Sequence, residues 1–110
     1  MDTDLLQTAA SGMDAQRAAL DVYARNVAAA EAAGRDGSFE RLVPQFELRD
    51  GDDGTTVEFS GAHRDRGSSV DIVTEMIAVM NASRAYEADA SLFDVGKTLA
   101  QRTIDMGHLQ

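Results

Sequence analysis

Two histidines, a run of aspartates and a scatter of serines are the residues of this chain whose types are suited to site chemistry. His63 stands in AHRDRG beside Arg64 and Asp65. A metal there needs two or more further ligands, and nothing in the sequence has ligand spacing. His108 lies two residues from the last residue and reads as a frayed terminal histidine. The serines include no G-x-S-x-G nucleophile turn. DGDDG at residues 50–54 lacks the twelve-position pattern of a calcium loop, with its closing glutamate, and also lacks the lysine of a phosphate loop. It reads as a turn. No catalytic residue, metal ligand or cofactor is assigned, and the chain is not expected to be an enzyme.

The remaining chemistry is that of surfaces, and two periodic segments must present it. From Asp4 to about Ala33 the sequence is expected to be helical, with Asp4 and Gln7 as a capping box and Gly34 as a stop. Leu6, Met13, Leu20 and Val27 recur every seven residues, an a/d-like seam. Asp21 and Arg25 form an i,i+4 pair on the outer surface. A second helix is expected from Ser68 or Ser69, capped by Ser68 with Asp71, to about Met106. In it Ile72, Met76, Val79, Ser83, Tyr86, Ala90 and Phe93 alternate gaps of four and three. Leu92, Leu99 and Met106 then carry a second stripe on a neighbouring face. Asp89 and Asp94 are expected to face water or a lumen. A helix from 71 to 106 would be about 54 Å long at ~1.5 Å per residue, too long for one short neighbour to cover. Ser83, Ala90 and Gly96 would allow close approach, although Gly96 is also a possible break.

Between the helices the texture changes. Phe46 and Leu48 alternate with polar residues, as do Val57 and Phe59, with DGDDG between them. This predicts a short β-hairpin with one apolar face, resting on the helices, with Pro44 ahead of its first strand. SGAHRDRGSS, residues 60–69, reads as a flexible loop. The expected organisation is therefore an amino-terminal helix over 1–34, a hairpin and loop over 35–69, and a long carboxy-terminal helix over 70–110.

Composition narrows the partners. The hydrophobic fraction of 44% is largely alanine, with only four Phe, two Tyr and no Trp. Such a chain suits closely packed helices better than a thick core. The net charge of −9 is spread evenly along the chain, without a basic patch, so nucleic acid and anionic membranes are poor partners. Cysteine is absent, which removes disulfides and thiol chemistry. No apolar run approaches the ~20 residues of a membrane span, and MDTDLLQ does not read as a cleaved secretory signal.

ASGMDAQRAALDVYARNVA (residues 10–28) resembles the amino-terminal helix motif of bacterial flagellar rod, hook and hook-associated proteins. Ser11, Gly12, Met13 and Ala15 match its beginning, and Asn26, Val27 and Ala28 its Asn-Ile-Ala-Asn ending. Ala29 and Ala32 depart from the asparagine and threonine usual there. VTEMIAVMNASRAYEADASLFDVGKTLAQRTIDMG (residues 73–107) is similar to the carboxy-terminal segment of the same family, nearest its proximal rod members. Glu75, Met76, Ser83, Arg84, Tyr86, Glu87 and Ala88 carry that likeness, and Asp105, Met106 and Gly107 resemble the family's ending.

The resemblance implies a mainly α protein whose terminal helices form a coiled-coil-like axial domain, with a short hairpin insertion. It further implies a structural subunit that polymerises with copies of itself and other rod proteins into a hollow driveshaft. That driveshaft would transmit torque and pass exported subunits. Its place would be the basal-body rod in the periplasmic space, reached through the flagellar export apparatus without a cleaved signal. The expected subunit-interface residues are Leu6, Met13, Leu20, Asn26, Val27, Met76, Val79, Ser83, Arg84, Tyr86, Phe93, Leu99 and Met106. The alternative is a non-polymerising rod-like accessory or export factor, or a helical adaptor, which size against concentration would distinguish.

Overall fold

The computed structural model describes residues 2–33, 40–52, 54–69 and 72–108. A helix α1 (Asp2–Ala33) leads into a two-stranded antiparallel hairpin of β1 (Glu40–Gly51) and β2 (Gly54–Ser69). A second helix, α2 (Ile72–His108), follows. The chain is thus mainly helical, with long terminal helices and a small hairpin between them. α1 is the middle layer, with the hairpin on one side and α2 antiparallel on the other.

That middle position selects the residues buried along α1. Ala9, Gly12, Ala15, Ala19, Val22 and Asn26 are buried, at gaps of three and four. Small side chains there let both neighbours approach closely, and helix-favouring alanine holds the backbone. The Leu6, Met13, Leu20 and Val27 stripe lies one residue away and is half-buried.

The helix pair keeps a constant antiparallel register. Asn26 bonds Glu75, Arg17 bonds Tyr86, Gly12 abuts Asp89, and Gly96 abuts Leu5 and Leu6. The same register sets Ala19 opposite Ala82, both buried. Four α2 residues spaced by seven, Glu75, Ala82, Asp89 and Gly96, therefore line the contact. The stripe through Met76, Val79, Ser83, Tyr86 and Phe93 flanks it instead of filling it. Gly96 does not break α2: a Cβ there would sit 3.0 Å from Leu6 Cδ2, so the glycine seats that leucine.

Several expected boundaries move. α1 begins at Asp2, so Asp4 is inside the helix; an acid in the first turn suits the positive end of the helix dipole. Ser68 and Ser69 end β2 and do not cap α2, which starts at Ile72; Gly34 and Asp71 fall outside the described residues. Residues 60–69 are strand, not loop, because β1 extends back to Glu40 and offers them a partner. Ser60 is the extra residue of a bulge, since Gly61 pairs with Gln45 and Phe59 with Phe46. Gly61 takes φ 127°, which suits a glycine.

Pro44 lies within β1, opposite Ala62. The neighbouring contacts explain how the strand accommodates it. Leu42 sends its N–H and C=O to Asn26 and not to β2, and Pro44, two residues on, has the same outward parity. Its missing N–H therefore falls on the edge away from β2.

The molecule is 70 × 23 × 14 Å, with a radius of gyration of 18.4 Å. A compact chain of this length would have about 13 Å. Its 7694 Å² of accessible surface likewise exceeds the ~5,900 Å² usual for its mass. Helices of this length on so thin a body leave apolar surface uncovered.

Candidate assembly surfaces

One polar junction ties the three layers together. Glu75 is fully buried, and Asn26 is 2% exposed. The Asn26 amide spans the gap: Nδ2 donates to Leu42 O at 2.9 Å and to Glu75 Oε2 at 3.1 Å, while Oδ1 accepts from Leu42 N at 3.0 Å. Arg41 Nε donates to Glu75 Oε1 as the charged partner. The carboxylate thus meets a cation and an amide, as a buried charge requires. Burial pushes the nearby Tyr23 hydroxyl up from its ordinary value; Glu75 adds to the rise and Arg41 opposes it.

At the hairpin tip, α1 hydroxyls replace missing strand partners. Thr8 Oγ1 donates to Thr55 O at 2.6 Å. Ser11 Oγ accepts from Val57 N at 3.1 Å and donates back to Thr8 O at 2.8 Å. Ser11, matched to the family motif by sequence, is thus a helix-to-strand clasp. Gly12, beside it, leaves room for Asp89, whose Oδ2 would lie 2.3 Å from an added Cβ.

Asp89 therefore lies against α1 and does not simply face water. Burial raises its carboxyl above the usual carboxylate range. An acid whose folded pKa is raised favours folding while protonated, and that contribution fades as pH climbs through the folded value. Asp89→Asn is expected to raise the midpoint of thermal unfolding near neutral pH, with the advantage disappearing below the usual carboxylate pKa of about 4. Melting curves from pH 3 to 8 check it. An advantage undiminished at pH 3 would exclude this ionisation as the cause.

The outward face of α2 has the opposite character. Val73, Met76, Ile77 and Met80 are exposed near its start, and Leu92, Val95, Leu99 and Met106 farther along; Met76 is 58% exposed. At 100° per residue Val73, Ile77 and Met80 fall on the side away from Glu75 and Ala82, Met76 and Val95 point sideways, and Leu92 and Leu99 border the contact within about 60° of Gly96. Arg84 and Glu87, both exposed, separate the two apolar groups. By the helix register, α2 beyond about residue 100 has no opposite residue in α1. Residues 101–107, including Ile104 and Met106, are all exposed.

The residues singled out in the sequence divide accordingly. Met76, Arg84, Leu99 and Met106 are exposed. Leu6, Met13, Leu20, Val27, Val79, Ser83, Tyr86 and Phe93 are half-buried along the flanks of the helix pair. Tyr86 accepts a bond from Arg17 Nη2 at 3.2 Å, with the guanidinium 5.9 Å from the ring centre. Asn26 sits in the junction, with Arg41 and Glu75, which sequence reasoning did not single out as site residues. The Asp21–Arg25 pair forms at 2.9 Å. Among the described residues no cluster of His, Cys, Asp or Glu is placed to hold a metal, and no helix is long and apolar enough to cross a membrane.

Comparison with known proteins agrees with this two-ended organisation. Residues 6–30 match the family described as flagella basal body rod protein. Residues 64–106 match that described as flagellar basal body rod FlgEFG protein C-terminal. The flagellar basal-body rod protein FlgC of Aquifex aeolicus (strain VF5) is 28% identical, over 91% of this chain and 92% of that protein.

Proposed function

Because the chain belongs to the flagellar basal-body rod protein family, we propose that it is a structural subunit of the proximal rod. Its terminal helices join neighbouring subunits in a coiled-coil-like axial layer around a hollow centre. The polymer transmits torque and passes exported subunits. The chain itself reaches the periplasmic rod through the flagellar export apparatus, and its partners are copies of itself and other rod proteins.

One observation carries this reading. The residues that α2 sets against α1 are Glu75, Ala82, Asp89 and Gly96, while large apolar side chains of α2, Val73, Met76, Ile77 and Met80 among them, remain exposed. Covering each half-exposed Met, Ile, Val or Leu would contribute roughly 1 kcal/mol. Two apolar groups on one helix, separated by Arg84 and Glu87, suit the unlike patches of a directional polymer.

The test uses Met76→Asp combined with Leu99→Asp. Met76 and Leu99 keep part of their surface covered within the chain, so circular dichroism and a melting curve first verify that the variant remains folded at the assay temperature. Sedimentation with the other rod proteins should lose the variant from the pellet, and swimming should not be restored in cells lacking the wild-type chain. Normal pelleting and swimming would overturn the proposal. Wild-type chain that never pellets with rod proteins would point to the accessory reading.

A further inference from the structure

The outer edge of β1 near the hairpin tip has a feature that the helices do not use. Thr55 O and Val57 N–H turn away from β1 to meet Thr8 and Ser11. Their register partners are Asp50 and Leu48. In an antiparallel ladder such outward pairs are mutual and recur every second residue. Phe46, Leu48 and Asp50 therefore present N–H and C=O groups on the edge away from β2. At the base of the hairpin the same edge is closed by Asn26 on Leu42. At the tip, residues 46–50 are all exposed, and Leu48, at 76%, is the most exposed large apolar residue among those described.

We propose that this edge pairs, antiparallel, with the same edge of a second copy of the chain, joining two hairpins into one four-stranded sheet. The occupant is read from the segment Phe46-Glu47-Leu48-Arg49-Asp50, which is complementary to itself in that direction. Centred on Leu48, the pairing sets Leu48 beside Leu48 of the second copy. Glu47 of each copy falls opposite Arg49 of the other, and the three outward residues meet three outward residues. Within one chain Glu47 stands directly opposite Glu58, a like-charge arrangement that costs stability. Arg49 already reaches Glu58 at 2.7 Å. An incoming Arg49 supplies the cation that Glu47 lacks on its other side.

The geometry permits the contact. Phe46 and Leu48 share the sheet face of Phe59 and Val57, with the Phe46 and Phe59 rings edge-to-face at 6.3 Å. Beside the paired tips, the Thr8–Ser11 part of each α1 lies along its own β2 strand, on the same side of the joined sheet in both copies. Three strand spacings separate those strands by roughly 14 Å, more than the ~8–10 Å at which helices pack. The two Leu48 side chains lie in the space between. An edge this short buries little area, so the dimer is weak and concentration-dependent.

This contact has a two-fold axis, whereas a polymer with a single direction along its length has none perpendicular to it. The dimer is accordingly a state of the free chain, distinct from assembly through α2, and does not rest on the rod reading.

Sedimentation equilibrium of the chain tests it with Glu47→Arg and Arg49→Glu. Wild type should show monomer and dimer, and each single variant should dimerise at least tenfold more weakly. An equimolar mixture should recover the wild-type association, because every cross-pair is again Arg with Glu. Circular dichroism identical to wild type verifies the fold, and Glu47→Arg gains an attraction to Glu58 within its own hairpin. A wild type that stays monomeric at its solubility limit, single variants that dimerise like wild type, or a mixture no stronger than its components would each overturn the proposal.

Discussion

Replacing Asn26 with alanine is expected to cost about 3–5 kcal/mol of folding stability. The change removes three hydrogen bonds and leaves the Leu42 N–H, the Leu42 C=O and one Glu75 oxygen without their partner. A domain of this size has about 5–15 kcal/mol in all, so a large share of its stability is lost. Arg41→Met should behave similarly, since it strands the Glu75 carboxylate without its cation. Adding Glu75→Gln to Arg41→Met should recover part of the loss by removing the buried charge. Urea unfolding of the single and double variants measures this. Additive losses for Arg41 and Glu75 would show that the two do not act as a pair.

A second large effect is expected at Gly12, where valine should destabilise the chain by roughly 2–4 kcal/mol. Every atom of the Asp89 carboxylate lies within 3.0 Å of where a Cβ would be, and a branched side chain would add overpacking at the middle of the helix pair. Alanine is the informative companion. It gains about 1 kcal/mol of helix propensity over glycine, which the collision with Asp89 offsets. Gly12→Ala should be near neutral or harmful in the wild-type chain and stabilising once Asp89→Ala has cleared the space. Equal effects in both backgrounds would show that Asp89 does not set the requirement for glycine.

How far these features could be read from sequence follows from what generates a pattern. The two helices and the alternating Phe46–Leu48 and Val57–Phe59 segments carry hydrophobic periodicity, and all are present. The strand after Phe59 carries none: Gly61, His63, Arg64 and Asp65 have loop chemistry and become strand because β1 lies beside them. The helix contact escaped for a related reason. Glu75, Ala82, Asp89 and Gly96 include no large apolar residue, so hydrophobic periodicity marks the flanks of the contact instead. Their spacing of seven, shared by Gly12, Ala19 and Asn26, was the available signal. The junction has no periodic signature: Asn26 and Glu75 both stand in segments that carry the family resemblance, but they are 49 residues apart and nothing in either segment points to the other.

The overhanging end of α2 has a practical consequence. Residues 101–107 continue α2 with no described helix beside them, so no tertiary packing supports these last turns. Amide hydrogens there should exchange with solvent faster than those in the part of α2 that lies opposite α1, and slow down when something settles over Ile104 and Met106. This stretch is where a fluorescent or spin label, at Gln101 for instance, would report the moment a neighbouring molecule arrives.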